Sequence, residues 1–96
     1  MPISVILMKY TDQGIRDAKR IAERIEQSTK LWESMGGKLL GVYLTMGPYD
    51  VVAIGEGPSD EVAAAFLLKL GAAGNVTTTT LKAFTLEEAK SIVAQV

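Results

Sequence analysis

The sequence predicts an α+β domain: one four-stranded antiparallel sheet, strands and helices in the order βαββαβ, and an additional C-terminal helix. Three observations carry this. Short runs of strand character, apolar, β-branched or alternating, fall at 3–9, 38–46, 51–56 and 76–84. Apolar residues recur at helical spacing over 15–35 and 60–70. Glycine, proline or a capping residue bounds nearly every run, and 96 residues make a single domain, 1–96.

The first strand, Ile3 to Lys9, is apolar on both parities, with Ile3, Val5 and Leu7 on one side and Ile6 and Met8 on the other. Such a strand expects cover on both faces. In "YTDQG", residues 10–14, Thr11 or Asp12 can cap a helix by accepting backbone N–H bonds. One long helix is expected from Ile15 to about Met35, with Ile15, Ala18, Ile21, Ala22, Ile25, Trp32 and Met35 as its apolar stripe. Gly36-Gly37 ends it, because glycine enters the left-handed C-cap without strain.

Lys38 to Met46 alternates, with Leu40, Val42, Leu44 and Met46 on one face and Leu39, Gly41, Tyr43 and Thr45 on the other. A two-residue link, Gly47-Pro48, is expected to turn this strand into Val51–Glu56 as a type II′ hairpin. Ser59 is a natural N-cap for the next helix, and Asp60 and Glu61 suit the positive end of its dipole. That helix carries a core stripe of Val62, Ala63, Phe66, Leu67 and Leu70. It is also apolar opposite, at Ala64, Ala65, Leu68 and Ala72, so its outer side is expected against another chain or under the C-terminal helix. "GAAGN" closes it, the threonine run of 76–84 makes the last strand, and "TLEE" at 85–88 is a capping box that starts the terminal helix.

This order is the ferredoxin-like arrangement, in which right-handed crossovers place the first and third strands at the sheet centre. Those are the two strands with apolar residues on both sides. Two helices cover one face only, so the other face calls for a second copy packed sheet to sheet, as in dimeric α/β barrels. A mean hydropathy of +0.21 in so short a chain agrees with apolar surface destined for burial between chains.

Composition removes several kinds of chemistry. There is no cysteine and no histidine, hence no disulfide, no thiolate nucleophile, no zinc or iron–sulfur site of the common kinds, and no histidine base. The expectation is no metal and no cofactor. A net charge of −1 and a pI near 5.3 give no general attraction to phosphate, and the basic residues of 16–30 alternate with acids along a solvated helix face, so neither nucleic acid nor a membrane is expected as a partner. With no basic leader and only the short apolar run "ISVILM", the expected location is cytoplasmic.

Few residues invite chemistry. The pair Tyr49-Asp50 sits where the chain leaves the hairpin turn, and Tyr10, Thr11 and Asp12 sit where the first strand hands over to a helix, a common ligand position in α/β proteins. With Tyr43 on the second sheet face these are the candidate ligand-binding residues. Local roles compete with that reading: turn hydrogen bonding by Asp50, capping by Thr11 or Asp12, and packing by Tyr43 and Trp32. No catalytic residue is assigned.

The stretch "YTDQGIRDAKR" at 10–20 and the run from "GGKLLGVYLTMGPYDVVAIGEG" at 36–57 through "TLEE" at 88 resemble the GYD domain family, small bacterial proteins with a Gly, Tyr, Asp signature. Here the signature is Gly47, Tyr49 and Asp50. The resemblance implies the ferredoxin-like fold and carries no established activity. Three functions follow as expectations: a small-molecule-binding or sensing module acting as a homo-oligomer, a cofactor-free enzyme of the dimeric α/β barrel type such as an oxygenase or isomerase, or a structural assembly protein. The first is preferred, since barrels that move protons often rely on histidine.

Overall fold

The computed structural model describes residues 1–96. Strands β1 (Ile3–Tyr10), β2 (Lys38–Leu44), β3 (Val51–Glu56) and β4 (Val76–Ala83) form one sheet in the order β2-β3-β1-β4, every neighbouring pair antiparallel. The two strands that are apolar on both parities are the central ones, as the sequence requires. Helices α2 (Ile21–Ser34) and α3 (Asp60–Ala73) lie on one face, preceded by the short α1 (Asp12–Arg16), and α4 (Leu86–Val93) follows β4. The architecture is ferredoxin-like.

Three details depart from the expected layout. The single helix over 15–35 is broken: α1 ends at Arg16, a 3₁₀ turn occupies Ala18–Arg20, and α2 begins at Ile21. The break lets α1 and α2 point in different directions. α1 is tied to the start of β4, where Thr11 N–H donates to Asn75 O at 3.1 Å and the Gln13 amide donates to Ala73 O at 3.1 Å, while α2 runs on toward β2. A Cβ on Gly14 would lie 2.0 Å from Asn75 O, so this approach of helix to strand exists only because residue 14 is glycine.

The β2–β3 link is wider than two residues. Thr45 N–H donates to Asp50 O at 2.8 Å and Thr45 Oγ1 donates to Tyr49 O at 2.6 Å, closing a loop over 46–49 in which Gly47 has φ +119°. The positive φ at Gly47 agrees with the expected turn; the two-residue link does not, because the loop spans 46–49. Third, a bulge between Leu39 and Gly41 breaks the alternation of β2. One residue on a strand reverses every later side chain. Leu39 therefore shares the helix-side face with Val42, and Gly41 and Tyr43 turn to the other face, opposite Ile54 and Val52.

Trp32 organises the covered face. Its ring lies 5.0 Å from that of Phe66 and its Nε1–H points at Lys38 O, 3.4 Å away. It is buried, as its place on the apolar stripe predicts. The ring occupies a seat made of missing side chains: a Cβ on Gly37 would come within 2.0 Å of it, one on Gly57 within 2.4 Å and one on Gly55 within 3.1 Å. Gly37→Ala should therefore force the indole off its seat and destabilise the fold by about 1–3 kcal/mol in chemical denaturation, the usual cost of overpacking. An unchanged midpoint would show that the seat is not tight.

Candidate functional site

The two faces of the sheet offer different chemistry. On the covered face, α2 and α3 diverge over the sheet and leave a cavity of about 210 Å³. Its floor is the inner side of β1 and β3, including Ile6, Met8, Val51 and Ala53, and its walls include Ile25, Trp32, Phe66 and Leu70. Among its lining residues only Tyr10 and Arg24 are titratable. Arg24 is largely shielded, its side chain 17% exposed; it donates to Gly14 O at 2.9 Å and faces Asp17 at 3.8 Å. The Tyr10 hydroxyl is closed off from solvent and has no hydrogen-bond partner in the chain. Burial first, and then the Asp50 carboxylate, push the Tyr10 phenol above its ordinary value, while Arg24 pulls the other way.

Asp50 is fixed by strand geometry. Its N–H donates to Met8 O at 2.8 Å, and its Oδ2 accepts the Tyr10 N–H at 2.9 Å. The carboxylate thus continues the β1–β3 ladder beyond Met8↔Val51, the last paired residues. Tyr49 is half-buried beside it, with the Lys9 ammonium 5.5 Å from its ring centre in a cation–π arrangement. Thr11 caps α1 by accepting the Gly14 N–H at 3.1 Å and donates its own hydroxyl to Gly74 O at 2.5 Å. Asp12 is exposed in the first turn of α1. Of the six candidate residues, Tyr10 alone lines the cavity; Thr11, Asp12, Tyr43, Tyr49 and Asp50 do not. Arg24, the other titratable group of the cavity, was hidden among the charges of a helix face that reads as solvated.

The opposite face carries no helix. Residues in register across it form two rows, Gly41, Ile54, Val5, Leu81 and Tyr43, Val52, Leu7, Thr79. Tyr43 is 61% exposed and Leu81 about half exposed at the margins of this apolar field. α4 does not close over the body: from Leu86 to Val93 only Ala89 is even half-buried. Its start is the predicted capping box, with Glu88 N–H donating to Thr85 Oγ1 at 3.1 Å and Thr85 N–H to Glu88 Oε1 at 3.0 Å, a bond that holds the Glu88 carboxyl below the usual carboxylate range. Leu68 on the outer side of α3 is 75% exposed. Of the two expected covers, the C-terminal helix does not shelter it. No helix is long and apolar enough to cross a membrane.

The GYD domain matches residues 5–93. The chain belongs to the GYD domain family. The family's namesake residues here are Gly47, which takes the positive φ of the hairpin loop, Tyr49, which packs under Lys9, and Asp50, which extends the ladder to Tyr10. A Thermus thermophilus protein described as a glutamine synthetase and cystathionine beta-lyase binding protein is 32% identical over 84 residues, covering 86% of this chain and 88% of its own length. The crystal structure of TTHA0845 from Thermus thermophilus matches the fold with a TM-score of 0.56 at 22% identity, over 88% of this chain and 95% of that one.

Asp50 substitutions separate the ladder role of this GYD aspartate from ligand anchoring. Asp50→Asn keeps an acceptor for the Tyr10 N–H and should cost about 1 kcal/mol or less. Asp50→Ala leaves that donor unpaired and should cost about 1–3 kcal/mol. Thermal and urea melts of the two variants check this; equal, small losses would contradict the ladder role.

Proposed function

We propose that this GYD protein is a non-catalytic binding module that works as a homo-oligomer and docks on other proteins. The observation that carries the reading is excess exposed surface, with large hydrophobic residues in it. The chain exposes 6397 Å², against about 5,400 Å² expected of a compact monomer of its 10.3 kDa mass. Its radius of gyration is 14.3 Å, where a compact chain of this length has about 12.5 Å. The difference in area, about 1,000 Å², is on the scale of what one partner buries in a standard interface. Two separate surfaces carry exposed apolar residues: the bare sheet face, with Tyr43 and Leu81, and the outer side of α3 with α4, with Leu68, Leu86 and Val93.

The sheet face suits a second copy, since its flat rows of Val5, Leu7, Val52 and Ile54 are self-complementary across a two-fold axis. The outer side of α3 is left for a different partner. There Leu68 stands among Ala64, Ala65 and Ala72, a low surface that a flat protein face can approach closely. The binding role in the description of the Thermus thermophilus relative supports a protein partner, with glutamine synthetase and cystathionine beta-lyase as the first clients to try. A second reading, small-molecule sensing by the same module, is favoured by the cavity beneath the sheet. Its titratable lining is a phenol and a guanidinium with no carboxylate, which suits holding a ligand better than acid–base chemistry.

Calorimetric titration of the purified chain into each purified enzyme tests the protein-partner reading. Saturable micromolar binding to at least one is expected, with Leu68→Glu weakening it by about tenfold or more at unchanged melting temperature, because a buried unpaired carboxylate at the contact is costly. No binding to either enzyme, or binding indifferent to Leu68→Glu, would overturn the assignment of the client surface.

A further inference from the structure

We propose that the cavity between the sheet and α2–α3 is a binding site for a small monocarboxylic acid with an aromatic or branched apolar body, its carboxylate held by Arg24 and the Tyr10 hydroxyl. The inference rests on the small-molecule reading above and gives it a ligand class.

Size sets the body of the ligand. An apolar protein cavity of about 150 Å³ accepts benzene, and a water-sized group needs about 30 Å³ more. A volume of about 210 Å³ therefore exceeds what a benzene ring needs and leaves room for a short substituent on one six-membered ring. The walls suit a ring: Trp32 and Phe66 present aromatic surface, and Ile25, Leu70, Met8 and Val51 enclose it with aliphatic surface.

The polar lining sets the head group. Arg24 is the only cation lining the cavity, and a guanidinium has five N–H donors, of which Gly14 O takes one at 2.9 Å. Asp17, at 3.8 Å and 47% exposed, neutralises it across solvent without a direct hydrogen bond. The remaining donors sit on a shielded side chain, where pairing with an anion is worth more than at the open surface. Tyr10 adds a buried O–H that finds no acceptor in the chain, and a buried donor without a partner is a standing cost. Arg24 and Tyr10 both line the cavity and are its only titratable groups, so together they set the head group it takes. The neighbouring carboxylate, Asp50, accepts the Tyr10 N–H and makes no hydrogen bond to the hydroxyl. A neutral ligand of the same shape would gain no charge-assisted hydrogen bond from the Arg24 donors that Gly14 O leaves free.

Phenylacetate and 2-phenylethanol, which share a body and differ in the head group, are the probes. Each is titrated into the full-length, unmodified chain and followed by amide and indole NMR shifts. Saturable shifts centred on Ile25, Trp32 and Phe66 are expected for both, with phenylacetate tighter by about tenfold or more. Arg24→Gln should remove that preference and leave the affinity for the alcohol in place. Tyr10→Phe should weaken the acid several-fold while folding at least as stably as the parent, since it deletes an unpaired hydroxyl. Ser28→Phe, which fills the cavity from α2, should abolish both probes.

Equal affinity for acid and alcohol in the unmodified chain would overturn the acid class while leaving the cavity a small-molecule site. Absence of shifts with either probe, or shifts confined to the outer sheet face, would overturn the cavity site and the sensing reading together. Because the acid–alcohol comparison needs no substitution, a variant that fails to fold leaves the test intact.

Discussion

A sheet whose central strands are apolar on both faces, in a chain with helices for only one, governs this molecule. β1 and β3 pair at the centre, where each has a strand on either edge and β3 buries its helix-side residues Val51 and Ala53. The crossovers then put α2 and α3 on the same side. What remains is a field built on Val5, Leu7, Val52 and Ile54 that no part of the chain covers. The same arithmetic explains why only four hydrophobic residues, Trp32, Val51, Ala53 and Phe66, are fully buried. A chain of this size has a thin core margin.

The covered face has its own constraint, the seating of Trp32. Three glycines from the α2–β2 link, β3 and the segment after β3 make room for the indole, drawing the C-terminal end of α2 down onto β2 and β3. The N-terminal end of α2 is held differently, by Arg24 reaching to Gly14 O across the helix break. The cavity lies between these two fixed points, lined where small residues such as Ser4, Ala53 and Ala63 meet larger ones. Structural need and a ligand-sized space have a common origin in this arrangement, and the family signature at Asp50 serves the same end of β1 from the other neighbouring strand.

The fold was largely legible in the sequence because its signals are local. Parity in β1 and β3, the Ser59 and Thr85 caps, and Gly36 and Gly74 in the left-handed region are written in adjacent residues. What escaped depends on distant partners. The break at Asp17 follows from ties between α1 and Ala73–Asn75, some 60 residues away. The bulge at Leu40 is visible only against β3, and the wider hairpin only once Thr45 is seen to pair with Asp50. Tyr10 was singled out from its place at a strand end, and that place does line the cavity. Arg24 was missed because a shielded arginine and a solvated one look alike in a run of mixed charges, and no spacing rule joins residue 24 to residue 10.

The central claim is that the bare sheet face is an interface between copies of this chain. Sedimentation equilibrium at micromolar concentration, on the parent and on Ile54→Lys, tests it most directly. A lysine at the centre of a face closed by a second copy would place two charges in an apolar contact, whereas on a solvent-facing sheet it would be tolerated. The account predicts a parent mass of at least twice 10.3 kDa and a shift to monomer in the variant. A monomeric parent, or an oligomer that Ile54→Lys leaves intact, would contradict it.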